Sequence, residues 1–168
     1  MGADRGPGMG HGGGSWTGDS LAGLTKGTLS ADQKVKLAGM AEEEKLAHDV
    51  YAQLATTTND VRFTRIAAAE SRHLAEIRAL LNRYGVSDPT AGRADGQFAS
   101  ATVQQQYGDL LTRGKAALDA ALAVGRDIEN ADIKDLAAAG SGVTAPDVST
   151  VYERLANASR RHLHAFGG

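Results

Sequence analysis

Four segments of this chain repeat apolar residues at helical spacing, and each places acids or histidines inside the apolar arc. An α-helix advances about 100° per residue, so every side chain has a definite place round its axis. Ile66, Ile77, Leu80, Leu81 and Tyr84 form one stripe, and Glu70 and His73 fall within it. Leu118, Leu122, Ile128, Ile133 and Leu136 form another, which contains Glu129 and Asp132. In the last segment Val148, Tyr152, Leu155, Leu163 and Phe166 share a stripe with Ser159 and His162. In the first, Leu37, Met40, Leu46, Ala47, Val50, Tyr51 and Leu54 form the arc, with Glu43 well inside it and Glu44 near its edge. A buried, unpaired carboxylate is heavily penalised, so acids at core positions are rare unless paired or metal-bound. Several converging ones are better explained by a shared cation than by separate satisfied core groups. Glu70 and His73 stand at i and i+3, on one face and within reach of one ion, and Glu129 and Asp132 repeat that spacing.

Local signals bound the helices. Ser30 with Gln33 three residues on is a capping-box pattern, so a helix is expected from there to about Ala55, ended by Thr56–Asp60. A second should run from about Val61 to Tyr84, stopped by Gly85 and the Ser87-Asp88-Pro89 turn. Residues 85–99 read as loop, followed by a short helix at about Ala101–Arg113. A third main helix is expected over about Lys115–Ala138, broken by Gly140-Ser141-Gly142. The last should begin near Pro146, with Thr144 and Asp147 spaced as a cap, and reach about Phe166. No strand-like alternation of useful length appears. The expected fold is all-α: four main helices with a short extra helix in the long connection between the second and third. Two helix pairs joined by one crossover is one arrangement; an up-down bundle with an inserted helix is the other.

Composition narrows the chemistry. Of 168 residues, 42% are hydrophobic and 23% charged, ordinary for one globular domain plus a tail. With no cysteine, histidine and carboxylate are the available strong metal ligands, which favours iron, manganese or zinc over Cu(I). The formal net charge of −2 gives no reason to expect nucleic acid as a partner. No run of 18 apolar residues offers a membrane span. Ten of the 21 glycines lie in residues 1–30, so residues 1–29 read as a flexible tail and the domain as 30–168. Met9 and His11 in that tail could touch a metal, but a glycine linker is the simpler reading. The N-terminus lacks the basic stretch and apolar core of a secretion signal, which leaves a cytoplasmic protein or one exported with its signal removed.

The stretches EEEKLAHDVY (42–51), AESRHL (69–74), VGRDIENADI (124–133) and SRRHLHAF (159–166) resemble the ferritin-like superfamily of di-iron carboxylate proteins. They look closest to an uncharacterised bacterial and archaeal domain family within it. The resemblance covers about residues 30–166 and implies a ferritin-like four-helix bundle. In ferritins and rubrerythrins the first helix supplies a Glu with a Tyr seven residues later, and Glu44 with Tyr51 matches. The helical projection prefers Glu43; the register set by Tyr51 favours Glu44, with Glu43 second. The second-helix Glu-x-x-His maps onto Glu70 and His73, and the third-helix acids onto Glu129, with Asp132 as a further acid. The last-helix Glu-x-x-His keeps His162, but Ser159 stands where its acid belongs.

The resemblance implies an iron centre of one or two ions, with manganese or zinc possible, held by Glu44, Glu70, His73, Glu129, Asp132 and His162, with Tyr51 beside it. Oxidation of Fe(II) or reduction of peroxide would be the reaction class. A non-catalytic storage or structural bundle is the alternative. Asp132 could instead bond Arg160. His48 and His164 are expected at the surface. Arg72, Arg78, Arg160 and Arg161 read as a solvated face or a contact in a homodimer or larger homo-oligomer.

Overall fold

Helix caps and turn residues divide the chain where local chemistry requires it, and the computed structural model describes residues 21–168. Helix α1 (Ala31–Thr58) opens at a true capping box: the Ser30 hydroxyl accepts from the Gln33 amide and the Gln33 side chain accepts from the Ser30 amide. It runs past the expected end at Ala55. Thr56, Thr57 and Thr58 donate their hydroxyls to the carbonyls of Ala52, Gln53 and Leu54, which keeps a polar stretch helical. Asn59, left-handed at φ 54°, ends it, and Asp60 caps α2 (Val61–Tyr84). Gly85, at φ 63°, closes α2.

Helix α3 (Ala101–Gly114) lies in the long connection, as expected. Helix α4 (Leu118–Gly140) starts later than the expected Lys115. The Lys115 amide still closes α3 onto Leu111, and Ala117 is fully extended, so the chain turns before a new helix begins. Leu118 is 43% exposed and leaves the expected stripe. Helix α5 (Pro146–Ala165) begins with proline in its first turn. The expected Thr144–Asp147 cap does not form: Thr144 is exposed, no side chain caps the helix, and the buried Asp147 accepts from the Tyr84 hydroxyl at 2.6 Å.

Four long helices pack as two hairpins, α1 with α2 and α4 with α5, and no strand occurs among the described residues. The hairpins join through α1 against α4 and α2 against α5. Both junctions are antiparallel. Tyr51 meets Gly125 and Glu129 on α4, and Arg62, Glu70 and Glu76 meet Ala165, His162 and Arg154 on α5. The apolar core falls into two clusters: Leu37, Ile77, Leu80 and Leu155 lie in one, and Tyr51, Phe63, Val124 and Phe166 in the other. The polar centre described below lies between them along the bundle.

The connection from α2 to α4 is tied to α1 by buried charge. Glu42 accepts from the amides of Ala99 and Ser100 at 2.7 and 2.9 Å, at the start of α3. Asp49 accepts from the Gly96 amide at 2.8 Å and pairs with Lys45, which also donates to the Ala94 carbonyl. The half-buried His48 bonds to Asp49 at 2.8 Å instead of standing free at the surface.

Met9 and His11 lie outside the described residues. Residues 21–29, expected to belong to a flexible tail, are seated on the bundle: Leu21 and Leu29 are buried in the core. Arg83 donates to the Leu21 and Leu24 carbonyls, the Tyr84 hydroxyl accepts from the Gly27 amide, and the Asp147 amide donates to the Thr25 carbonyl. Gly27 is required there, because a Cβ would stand 2.5 Å from the Ala145 Cα. Among the described residues no helix is long and apolar enough to cross a membrane.

Candidate metal centre

Each long helix sends at least one ionisable side chain to the middle of the bundle. From α2, Glu70 and His73 project together, as their i, i+3 spacing requires. Helix α1 adds Glu44, α4 adds Glu129 and α5 adds His162. They form two groups that could each hold a metal ion: Glu44, Glu70 and His73, and Glu70, Glu129 and His162. Within each group the candidate ligand atoms lie within 4.8 Å of one another.

Glu70 belongs to both groups because its two oxygens diverge. Its Oε2 lies 2.6 Å from His73 Nδ1, and its Oε1 lies 2.8 Å from His162 Nδ1. His73 Nδ1 is also 3.4 Å from Glu44 Oε2, and His162 Nδ1 is 3.5 Å from Glu129 Oε1. The two imidazoles are stacked with centroids 5.6 Å apart. Tyr51 donates its hydroxyl to Glu129 Oε1 at 2.8 Å and to the Gly125 carbonyl at 3.3 Å. Its ring packs on Phe63 and Phe166 in an apolar wall. Small residues permit this approach: a Cβ on Gly125 would sit 2.7 Å from the Phe166 ring.

Several of these polar atoms are buried without a hydrogen-bond partner among the described residues: Glu44 Oε2, Glu70 Oε1, Glu129 Oε2, Asp132 Oδ2 and His162 Nδ1. His162 Nδ1 and Glu70 Oε1 are close yet misaligned for a hydrogen bond. Buried polar groups are nearly always satisfied, so orphaned donors of metal-ligand type gathered in one place fit a cation. Glu44, Glu70, His73, Glu129 and His162 match a carboxylate–imidazole site in chemistry as well as position.

Electrostatics agree. Burial pushes the Glu44 carboxyl up to about 8, against the lowering pull of the nearby His73. Burial likewise raises Glu129 and Asp132, and neighbouring acids raise Asp132 further. Glu70 is the exception: burial would raise it, but His162 and His73 hold it below the usual carboxylate range. Burial opposes charge on the histidines too, yet Glu44 and Glu70 bring His73 to about 10, and Glu129 and Glu70 bring His162 to about 9. Without metal, protons stand where cations would otherwise neutralise the acids.

The family described as "Uncharacterized protein domain (DUF2202)" matches residues 33–168. The chain belongs to this family. It is 35% identical over 146 residues to "Uncharacterized protein MJ0754" of Methanocaldococcus jannaschii, across 87% of this chain and 79% of that protein. It is also similar to the crystal structure of hypothetical protein MJ0754, with a TM-score of 0.83 over 86% of this chain and 83% of that one. Both descriptions are without an activity. All five residues of the two groups lie inside the span matched to the DUF2202 family.

The remaining candidates divide. Asp132 is buried on α4 near the acids but joins neither group, and Glu43, half-buried, faces Asp135 and Asp132. Arg160 bonds Asn157 at 3.0 Å and does not pair with Asp132. His164, Arg72, Arg78, Arg160 and Arg161 are exposed. Ser159 is buried, so α5 brings one imidazole and no acid to the groups. Of the rim of the centre the sequence marks Arg161 alone, as a solvated face or an oligomer contact. His73 reaches a pocket of about 400 Å³ between α2 and α5, lined also by Glu76, Arg154 and Arg161. Glu76 and Arg154 are 3.6 Å apart. Arg154 and Arg161 lie on α5 turns close to Ser159 and His162, a signal of polar residues flanking a ligand.

Proposed function

We propose that this chain is a ferritin-like metal protein whose bundle binds a pair of divalent cations, iron first, with manganese or zinc as alternatives, and oxidises Fe(II) or reduces peroxide. The observation that carries this reading is the set of buried carboxylate and imidazole atoms, contributed by four helices, that have no hydrogen-bond partner. The two hairpins and their long helical connection are the arrangement on which carboxylate-bridged metal centres are built. Glu44, Glu70 and His73 would hold one ion, and Glu70, Glu129 and His162 the other. Bound iron would supply the electrons for reduction of dioxygen or peroxide. Tyr51 orients Glu129 by holding Oε1 and leaving Oε2 available. The Tyr51, Phe63 and Phe166 rings exclude water on one side, and the pocket at His73 admits small molecules on the other.

The test begins with metal-depleted protein under anaerobic conditions. Fe(II) should bind at about two per chain, the number expected of a two-metal site, and admission of air should then consume dioxygen. Absence of binding refutes the centre. Binding without oxidation supports the second reading, storage or structural metal, which draws on the buried Ser159 where an oxidising bundle of this kind carries an acid.

A further inference from the structure

Beyond the two ligand groups, a further set of acids lines the seam between α1 and α4. Because these helices run antiparallel, with Tyr51 opposite Gly125 and Glu129, Glu43 and Glu44 come opposite Asp132 and Asp135. Asp132 and Asp135 are i, i+3 on one face of α4. Burial deepens stepwise along the seam: Asp135 and Glu43 are half-buried, Asp132 is 6% exposed, Glu44 3% and Glu129 0%. Asp132 Oδ2 is buried with no hydrogen-bond partner. Lys36, on the same helix as Glu43, pairs with Asp32. A bundle gains no stability from such a row, which invites a cation to neutralise it.

The opposite seam has the reverse character. The pocket that reaches His73 between α2 and α5 is lined by Arg154 and Arg161 as well as Glu76, a net positive set that opposes an approaching cation. We propose that Asp135, Glu43 and Asp132 form an uptake route that passes divalent cations from the α1–α4 surface to Glu44 and Glu129. The route rests on the metal-binding reading above. Asp135 meets the ion at the surface, Glu43 replaces part of its water shell, and Asp132 delivers it to the ligands. Glu43 is thereby a transfer residue and not a ligand of the resting centre.

The experiment follows Co(II) loading of the metal-depleted full chain by stopped-flow absorbance, with final stoichiometry from equilibrium dialysis. Glu43→Gln and Asp135→Asn should each load on the order of tenfold more slowly, the lower end of what a focused field does to an on-rate. Both should reach the wild-type endpoint, and the gap should narrow at high salt. Glu43→Asp, which keeps the charge, should load at close to the wild-type rate, which separates charge from folding. Unchanged rates in both neutral variants would overturn the route. So would a lower endpoint in either, which would make that residue a fixed ligand, or slower loading in Arg161→Ala, which would move the route to the α2–α5 side. Wild-type protein that takes up no Co(II) would sink the centre itself, and the route with it.

Discussion

Replacing Glu70 with glutamine isolates the one carboxylate that the two groups share. The side chain keeps its shape, but one oxygen becomes an NH₂ and the charge disappears. Glu70 is fully buried, with Oε2 at 2.6 Å from His73 and Oε1 at 2.8 Å from His162. Removing one partner of a buried ion pair costs about 3–5 kcal/mol, because the other charge is left uncompensated. Two features favour the lower end: Glu44 stands 3.4 Å from His73, and Glu129 stands 3.5 Å from His162. About 3 kcal/mol is therefore expected in metal-free protein. For a chain of this size that is a fall in Tm of roughly 6–12 °C.

Metal binding should suffer at both groups, since both use Glu70. Affinity for Mn(II) should drop by more than the 10–100-fold typical of losing a residue that only supports a ligand. Urea unfolding in EDTA gives the first number, and equilibrium dialysis with Mn(II) the second. Glu76→Gln is the control. Its carboxylate pairs with Arg154 at 3.6 Å and is 22% exposed, so less than about 1 kcal/mol is expected. If Glu70→Gln unfolds within about 0.5 kcal/mol of wild type, the paired-histidine account is wrong. If it also keeps full Mn(II) stoichiometry and affinity, Glu70 is not the shared ligand.

Gly125→Ala drives a methyl group to 2.7–2.8 Å from the Phe166 ring, which is held by Tyr51 and Phe63. It should cost about 1–3 kcal/mol as overpacking, read by urea denaturation; a neutral result would mean that Phe166 is free to move aside. Asp49 supplies an acid-limb prediction. Burial would raise its carboxyl, but bonds from His48, Lys45 and the Gly96 amide hold it below its ordinary value. A lowered folded pKa stabilises above the unfolded value near 3.9 and is lost as pH falls through the folded one. Asp49→Asn should therefore destabilise the neutral protein and flatten its loss of stability below about pH 4. Hydrogen exchange should report faster opening at residues 94–100, and an unchanged acid limb would refute the account.

What the sequence determined is mostly local. The Ser30–Gln33 capping box, the Asp60 cap and Gly85 depend on neighbours within one turn, so the helix ends they set are legible in order. The 100° advance per residue likewise places Glu70, His73, Glu129 and His162 on inward faces before any partner helix is known. That reading weakened on α1, which is covered by α2, α3 and α4 and buries Glu42, Glu44, Lys45 and Asp49 alongside its apolar residues. With no single inward stripe, periodicity preferred Glu43, and only the Tyr51 register of the resemblance favoured Glu44. The approach of α2 and α4 brought Glu44 to His73 and left Glu43 facing Asp135. Tertiary contact also seated residues 21–29, turned Asp147 from a cap to a partner of Tyr84, and kept Arg160 from Asp132. Periodicity reports the direction of a side chain about its own helix. Which atoms it meets depends on elements distant in sequence, and only the assembled bundle brings Glu70 between two histidines.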